Sequence, residues 1–264
     1  AVALIRSLVE QASEFAFTEE LAGARGGKVR IDRLPIGIAL GIVPCNVPIF
    51  LACLKLATAL LAGCPVVLKP SPENVDSMAL FSRHLARMDL PTGAVNLVMG
   101  GRVLGDHLVR NDVFRKVSFT GSSASGLAVA QLCAQRFARV TLELGGKSSA
   151  ILLDDVDFTA VKDQLWLAML QNNGQVCGAQ SRILIPKSRA PELRSALSEM
   201  FEGTVVGDPR SPETGIGPVV TAEAANRIRN TCNEAISQGA LLLSGNREES
   251  QESATVPPRL YEVQ

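Results

Sequence analysis

Aromatic side chains make up only 4% of the 264 residues, and neither charge is in excess, with 26 Lys and Arg against 26 Asp and Glu. A neutral chain without a dense basic stripe has no net field to draw in a polyanion. So few aromatics also leave little on which to stack bases. Nucleic acid is therefore not an expected partner. Histidine is scarce, with 2 residues far apart, and none of the 6 cysteines forms a CxxC pair or a short Cys/His cluster. Neither a zinc site nor a disulfide framework is expected, and unpaired thiols of this kind fit a reducing, cytoplasmic compartment.

Long uninterrupted apolar runs are missing too. The longest, Val47 to Leu68, is broken by Lys55, Gly63 and Pro65. It reads as a buried helix followed by a strand, with no membrane span. No basic-then-apolar signal opens the chain, which starts at Ala1 without Met, so processing and fragmentation both stay open. What is present is an ordinary globular composition, 47% apolar and 20% charged, in a length that allows two modest domains.

Residues 1–30 read as an amphipathic helix, Val2 to Phe17, followed by a Gly/Arg-rich turn. From Pro35 strands and helices alternate. Strands at Ile36 to Ile42, Val66 to Leu68, Val95 to Met99 and Lys116 to Phe119 are followed by helices at Ile49 to Leu61, Val75 to Arg87, Val103 to Val109 and Ser123 to Ala134. Short apolar strands alternating with helices predict an α/β fold, a doubly wound parallel sheet that binds a nucleotide. Past a boundary near Leu144 to Gly146 a second α/β region is expected, with helices at Phe158 to Gln171, Ala190 to Phe201 and Ala222 to Ser237. Its strands are Ile183 to Ile185 and Leu241 to Leu243. Asn246 to Ala254 reads as a polar loop, and a new strand begins within the final PPRLYEVQ.

In a doubly wound sheet ligands sit at the carboxyl ends of the strands. The loops there are PCNVP (44–48), KPSPE (69–73), GGRVLG (100–105) and TGSS (120–123). Each offers Gly, Ser, Thr, Asn or Lys where a phosphate, ribose or oxyanion can meet backbone N–H groups at a helix start. Each also serves simply as a turn. Two side chains beyond these loops draw notice. Cys177, in GQVCG, has Gln, Asn, Gly and Ala as neighbours, a polar setting that makes poor core, whereas Cys53 and Cys64 lie in apolar surroundings that suit inert thiols. Glu143 ends the strand VTLEL before two glycines. Partial desolvation there would raise its pKa and suit it to general-base work; the other reading is an exposed carboxylate capping a turn.

Together, PCNVP, LKPSPE, SFTGSS, ELGGK and GQVC, in this order, resemble the aldehyde dehydrogenase superfamily from about Pro35 to the end of the chain. The resemblance implies a dinucleotide-binding domain over 1–144, with the N-terminal helix, and a catalytic domain over 145–264 that is truncated. It implies that Cys177 is the nucleophile, adding to an aldehyde to give a hemithioacetal that NAD or NADP oxidises to a thioester. Asn46 and the backbone N–H of Cys177 would form the oxyanion hole, and Glu143 would activate the water that releases the acid. Lys55, nine residues after Asn46, resembles the lysine that organises proton traffic, or else snorkels from a helix. For the cofactor, the family pattern implies Ile42, Val43 and Pro44 beside the nicotinamide ribose and adenosine. Lys69 and Ser71 match the adenosine-ribose loop, Gly105 and Ser122 positions near the adenine and pyrophosphate, and Leu144 the nicotinamide flank. Lys69 also reads as a surface charge after a strand.

The match has gaps. Cys45 stands where the family usually carries an aromatic, and Pro72 where many NAD-preferring members carry Glu, with Glu73 one residue later. NAD against NADP is thereby open, since a shifted carboxylate removes repulsion against a 2′-phosphate. Family members continue past the end of this chain with an EIFGP-like segment, the rest of the catalytic domain and an oligomerisation strand, and they also carry a longer N-terminal portion. An internal fragment with an open sheet edge and uncovered apolar surface is expected, from a protein that is a homo-oligomer when full length. Two alternatives accompany the reading: a truncated nucleotide-binding domain without turnover, and a CoA-acylating enzyme, against which Glu143 in ELGGK argues.

Overall fold

The chain opens with helix α1 (Val2–Glu14), none of whose side chains is buried, and an antiparallel hairpin of β1 (Thr18–Ala22) and β2 (Lys28–Asp32). This is a computed structural model, which describes residues 1–245 and 253–263. The Gly/Arg-rich stretch is thus the turn of a hairpin that periodicity does not reveal. Gly26 (φ 84°) and Gly27 (φ 79°) supply the left-handed backbone of the turn. The strands are exposed on both faces and carry polar cross-strand pairs: Thr18 donates to Asp32 at 2.8 Å, and Lys28 pairs with Glu20 at 2.8 Å. Such pairs contribute about 0.2–1 kcal/mol each and leave no apolar alternation to read.

Then β3 (Ile38–Val43), α2 (Pro48–Leu61), β4 (Val66–Pro70), α3 (Val75–Leu85), β5 (Val95–Leu97), α4 (Arg102–Arg110), β6 (Phe114–Gly121), α5 (Ser123–Ala134) and β7 (Arg139–Leu144) follow. The five strands form one parallel sheet in the order β5-β4-β3-β6-β7. The chain winds from β3 outward to β5, then returns to the far side of β3 for β6 and β7, which is the doubly wound arrangement. Alternation along β3 builds a core on each face. Leu40 and Ile42 pack with Val109 of α4, Val129 and Cys133 of α5, and Val117 and Phe119 of β6. Ala39 and Val43 pack with Ala52 and Leu56 of α2, Met78 of α3, and Val66 and Leu68 of β4.

Gly41 lies on the α2 side, between Ala39 and Val43. A Cβ there would stand 3.1 Å from Leu68 Cδ1 and 3.4 Å from Lys55 Cδ. The missing side chain lets the Lys55 stem cross β3, and its Nζ donates to Ser118 Oγ on β6 at 2.8 Å. Only 7% of Lys55 is exposed, so it does not snorkel. Burial of the ammonium brings its pKa down to about 8; the Glu143 carboxylate opposes that shift and the Lys116 ammonium adds to it.

The contacts divide the chain into two compact units, Ala1–Leu144 and Gly145–Gln264. The second contains β8 (Ser149–Ile151), α6 (Phe158–Leu170), β9 (Arg182–Leu184), α7 (Ala190–Glu202), α8 (Ala222–Ser237), β10 (Leu241–Ser244) and β11 (Leu260–Glu262). β8 and β9 pair in parallel, and β10 and β11 antiparallel. Ala150, Leu152, Leu165, Met169, Leu193, Leu197 and Phe201 form its main core. Ile151, Leu153 and Leu184 are more than half exposed, the uncovered apolar surface expected around so short a parallel sheet. Most of the expected loop from Asn246 to Ala254 lies outside the described residues. Among the described residues no helix is long and apolar enough to cross a membrane.

Two outcomes follow. Leu40→Ala removes a fully buried side chain from the first core and is expected to lower unfolding free energy by about 2–5 kcal/mol, read by urea denaturation. Lys55 makes stability depend on pH. Its folded pKa of about 8 lies below the unfolded value of roughly 10.4, so between these the unfolded chain binds more protons and stability rises with pH. Lys55→Met is expected to flatten that rise, seen by comparing denaturation midpoints of both proteins from pH 7 to 10.

Candidate active site

β3 and β6 are neighbours from whose carboxyl ends the chain departs in opposite directions, the switch point where open α/β sheets bind ligands. Ile42 and Val43 close β3 in buried positions and Pro44 follows, half-buried. Its carbonyl accepts the Asn74 side-chain amide at 3.1 Å, tying this loop to the one after β4. Lys69 ends up 5% exposed with its Nζ donating to Pro70 O at 3.0 Å, which rules out a surface charge. Burial lowers its pKa while Glu73 raises it. Gly105 of α4 faces it: a Cβ there would come 3.3 Å from Lys69 Cε. The Ser71 hydroxyl donates to the Glu73 carboxylate. Ser122 caps α5, accepting the Ser125 N–H at 3.3 Å. Leu144 packs on the α4/α5-side core and over Gly126, where a Cβ would fall 2.5 Å from Leu144 Cδ2.

One further group belongs here that sequence reasoning passed over. Thr120, near the end of β6, buries its Oγ1 with no hydrogen-bond partner, and an orphan of this kind costs about 1–3 kcal/mol. The signal available was the alternation of Ser118 and Thr120 with Val117 and Phe119 along β6, which marks one face as polar.

Asn46 is half-buried just past β3, two residues before α2 begins. Glu143 lies on β7 opposite Thr120 in register, and its charge reaches Lys55, whose pKa it raises. The first unit therefore brings Lys55 and Glu143 into one electrostatic neighbourhood. Glu143 is exposed, which matches the exposed-carboxylate reading and not the partly desolvated one. β7 is the last strand of the sheet and packs on α5 through Leu142 and Leu144, which turns Glu143 to the uncovered face.

In the second unit, Cys177 is exposed, while Cys53, Cys64 and Cys133 are buried and Cys45 and Cys232 half-buried. Burial pushes the Cys45, Cys53 and Cys133 thiols up, so they hold their protons. Cys177 sits in a tight turn closed by the Ala179 N–H on Val176 O at 3.1 Å. Its own N–H meets no acceptor among the described residues. Immediately upstream, Asn172 (φ 53°), Asn173 (φ 55°) and Gly174 (φ 71°) are all left-handed, which costs roughly 1–2 kcal/mol for each residue bearing a side chain, Asn being among those that tolerate it best. A Cβ on Gly146, in ELGGK, would touch the Cys177 carbonyl at 3.4 Å. The arrangement presents one thiol to solvent beside a free backbone donor, on a backbone held in an unusual path.

The aldehyde dehydrogenase family profile matches residues 1–263. A geranial dehydrogenase from Castellaniella defragrans is 34% identical over 98% of this chain and 54% of its own length. Among solved structures, a Mycobacterium tuberculosis aldehyde dehydrogenase complexed with NAD+ is 35% identical with TM-score 0.88, covering 97% of this chain and 53% of that one. A mutant aldehyde dehydrogenase C from Pseudomonas syringae, complexed with NAD+ and octanal, is 33% identical with TM-score 0.89, covering 100% and 55%. The chain spans about half the length of the curated relatives it matches. With the family profile matched over residues 1–263 and the doubly wound sheet shared with these solved structures, the chain belongs to the aldehyde dehydrogenase family.

Proposed function

We propose that these residues carry the catalytic machinery of an NAD(P)-dependent enzyme that oxidises an aldehyde to a carboxylic acid, with 1–144 as the dinucleotide-binding domain and 145–264 as part of the catalytic domain. The observation that carries the reading is Cys177, the exposed one among six cysteines. Its thiolate adds to the aldehyde carbon, and the carbonyl oxygen takes up the negative charge. The Asn46 amide and the Cys177 N–H donate to that oxygen; the N–H is uncommitted in the described chain. When bound, the dinucleotide supplies the two-electron oxidant that turns the thiohemiacetal into a thioester. Glu143 removes a proton from water as it attacks the thioester carbon, and Cys177 leaves as thiolate. Lys55, held partly deprotonated near neutral pH by burial, sits within electrostatic reach of Glu143 and helps carry that proton away.

The carboxyl ends of the first unit's strands fit a dinucleotide. Gly105 leaves room over the Lys69 stem, the Thr120 hydroxyl is a buried orphan, and Lys69, Ser71 and Ser122, with the backbone of Ile42, Val43 and Pro44, would hold the dinucleotide, Leu144 flanking its nicotinamide. The relatives complexed with NAD+ support NAD; Pro72 in place of a Glu keeps NADP open. The complete protein is a cytoplasmic homo-oligomer in this reading.

The test is NAD(P)H production from a panel of aldehydes by the complete gene product. Cys177→Ala is expected to lose at least about 10³-fold in turnover, and normal turnover in that variant would sink the mechanism. Glu143→Gln is expected to keep a single burst of NAD(P)H while steady turnover falls about 10²–10⁴-fold, because the thioester forms and is not hydrolysed. Rescue of the Glu143→Gln variant by added CoA, with an acyl-CoA product, would instead favour acyl transfer to CoA.

A further inference from the structure

An exposed nucleophile cannot be oriented by packing, because the side chains that would pack around it would also cover it. Between Gln171 and Gly178 no residue is buried, so hydrogen bonds must define the turn. Two side-chain amides in this stretch reach one extended segment. Asn173 Oδ1 accepts the Gly217 N–H at 3.0 Å while its Nδ2 donates to Pro218 O at 2.8 Å. Gln175 Oε1 accepts the Val220 N–H at 3.1 Å, and its Nε2 donates back to Asn172 O at 3.1 Å. The Asn173 amide thus pairs with Gly217 and Pro218 as a peptide group of a neighbouring strand would.

The segment that receives them is itself fixed from its other side. The Val219 N–H donates to Ala254 O at 2.9 Å, and Pro218 bridges Thr255. The buried Arg229 guanidinium, on α8, donates to Ser253 O at 2.6 Å. A continuous ladder therefore runs from α8, through residues 253–255 and 217–220, to the two amides and the Cys177 turn. The left-handed backbone of Asn172 and Asn173 is what aims the Asn173 side chain at this segment, and conformations of that kind persist only where their surroundings enforce them.

We propose that Asn173 is a positioning residue for the reaction: by clamping the turn to the Gly217–Pro218 backbone, it sets where Cys177 Sγ stands relative to the aldehyde carbon. The assignment rests on Cys177 being the nucleophile. Loss of the clamp lets the thiol wander without changing its chemistry, and displacement by about 1 Å costs on the order of 10²-fold in rate.

The test uses the complete gene product. Asn173→Gly still tolerates the left-handed backbone while removing the side chain and both its amide bonds, and Asn173→Asp keeps the acceptor for the Gly217 N–H but loses the donor to Pro218. For Asn173→Gly, kcat is expected to fall about 10–100-fold with KM for the aldehyde changed less than about threefold. The Gly217 amide is expected to exchange with deuterium at least about tenfold faster, while the pH midpoint of Cys177 alkylation by iodoacetamide stays put. Asn173→Asp should recover part of the lost kcat. Wild-type kcat in Asn173→Gly despite faster Gly217 exchange overturns the proposal. So does a kcat loss that tracks only a lower unfolding temperature, with Gly217 exchange unchanged. Exchange and alkylation do not need turnover, and Cys177→Ala run alongside separates the two failures: if it stays active the nucleophile is wrong, whereas if it is dead and Asn173→Gly is normal, only the clamp is wrong.

Discussion

Strand β3 is hydrogen-bonded along both edges, to β4 and to β6, and covered on both faces by helices. That enclosure sets the geometry at its carboxyl end. A strand so enclosed has one free direction left, the turn out of Val43, and the Pro44–Asn46 segment therefore emerges at a defined place between the loops after β4 and β6. The Asn74 amide on Pro44 O reinforces the exit from one side. Were β3 an edge strand, Asn46 would hang from a fraying end, and in the oxyanion-donor role proposed for it the amide would lose the preorganisation that makes such donors effective.

The same enclosure carries a cost. Lys55 takes its ammonium across β3 only because residue 41 is glycine, and it is buried with Ser118 as its hydrogen-bond partner. A buried ammonium is expensive. The sheet answers with the Ser118 hydroxyl and with the Glu143 charge farther along. The compromise is a lysine that loses its proton near pH 8, close to the range in which a group both gives and takes protons readily. Replacing Ser118 with an apolar residue would leave the ammonium without its partner and push the balance toward the neutral amine.

Much of this was legible in the amino-acid order. Apolar runs bounded by Gly and Pro marked β3 and the start of β4, because parallel strands buried on both faces are apolar nearly throughout. Ser123 to Ala134 and Ala222 to Ser237 were readable as helices to the residue, each opened by a hydroxyl cap, Ser122 and Thr221. The hairpin β1/β2 was not legible. It buries nothing, so the chain had no need of alternation, and cross-strand charge pairs leave no periodic trace. Glu143 was found by its motif, but its sequence surroundings left a desolvated and an exposed reading side by side, since which face of β7 is covered depends on where the sheet ends. Thr120 was missed because a lone threonine in a strand looks like any other β-former. Asn173 was missed for a different reason: its partners are backbone groups 44 and 45 residues away, and backbone partners leave no mark on the residue types that supply them.

In the nucleophilic role proposed for it, Cys177 makes two demands that oppose each other. A nucleophile must be open to its substrate, yet its sulfur must stand within a few tenths of an ångström of a productive position. Apolar packing satisfies the second demand by violating the first. Backbone hydrogen bonds of a helix or strand would orient the thiol, but they would consume the Cys177 N–H, which is left uncommitted here. Side-chain amides on flanking residues escape both conflicts: Asn173 and Gln175 make bonds directed away from the thiol, and they leave its backbone donor available. The left-handed run that aims Asn173 requires residues that tolerate positive φ, and the order Asn-Asn-Gly meets that requirement without a bulky side chain beside the sulfur. The polar, small composition around Cys177, which first set it apart from the other five cysteines, is thus the composition that exposure and fixed orientation jointly demand.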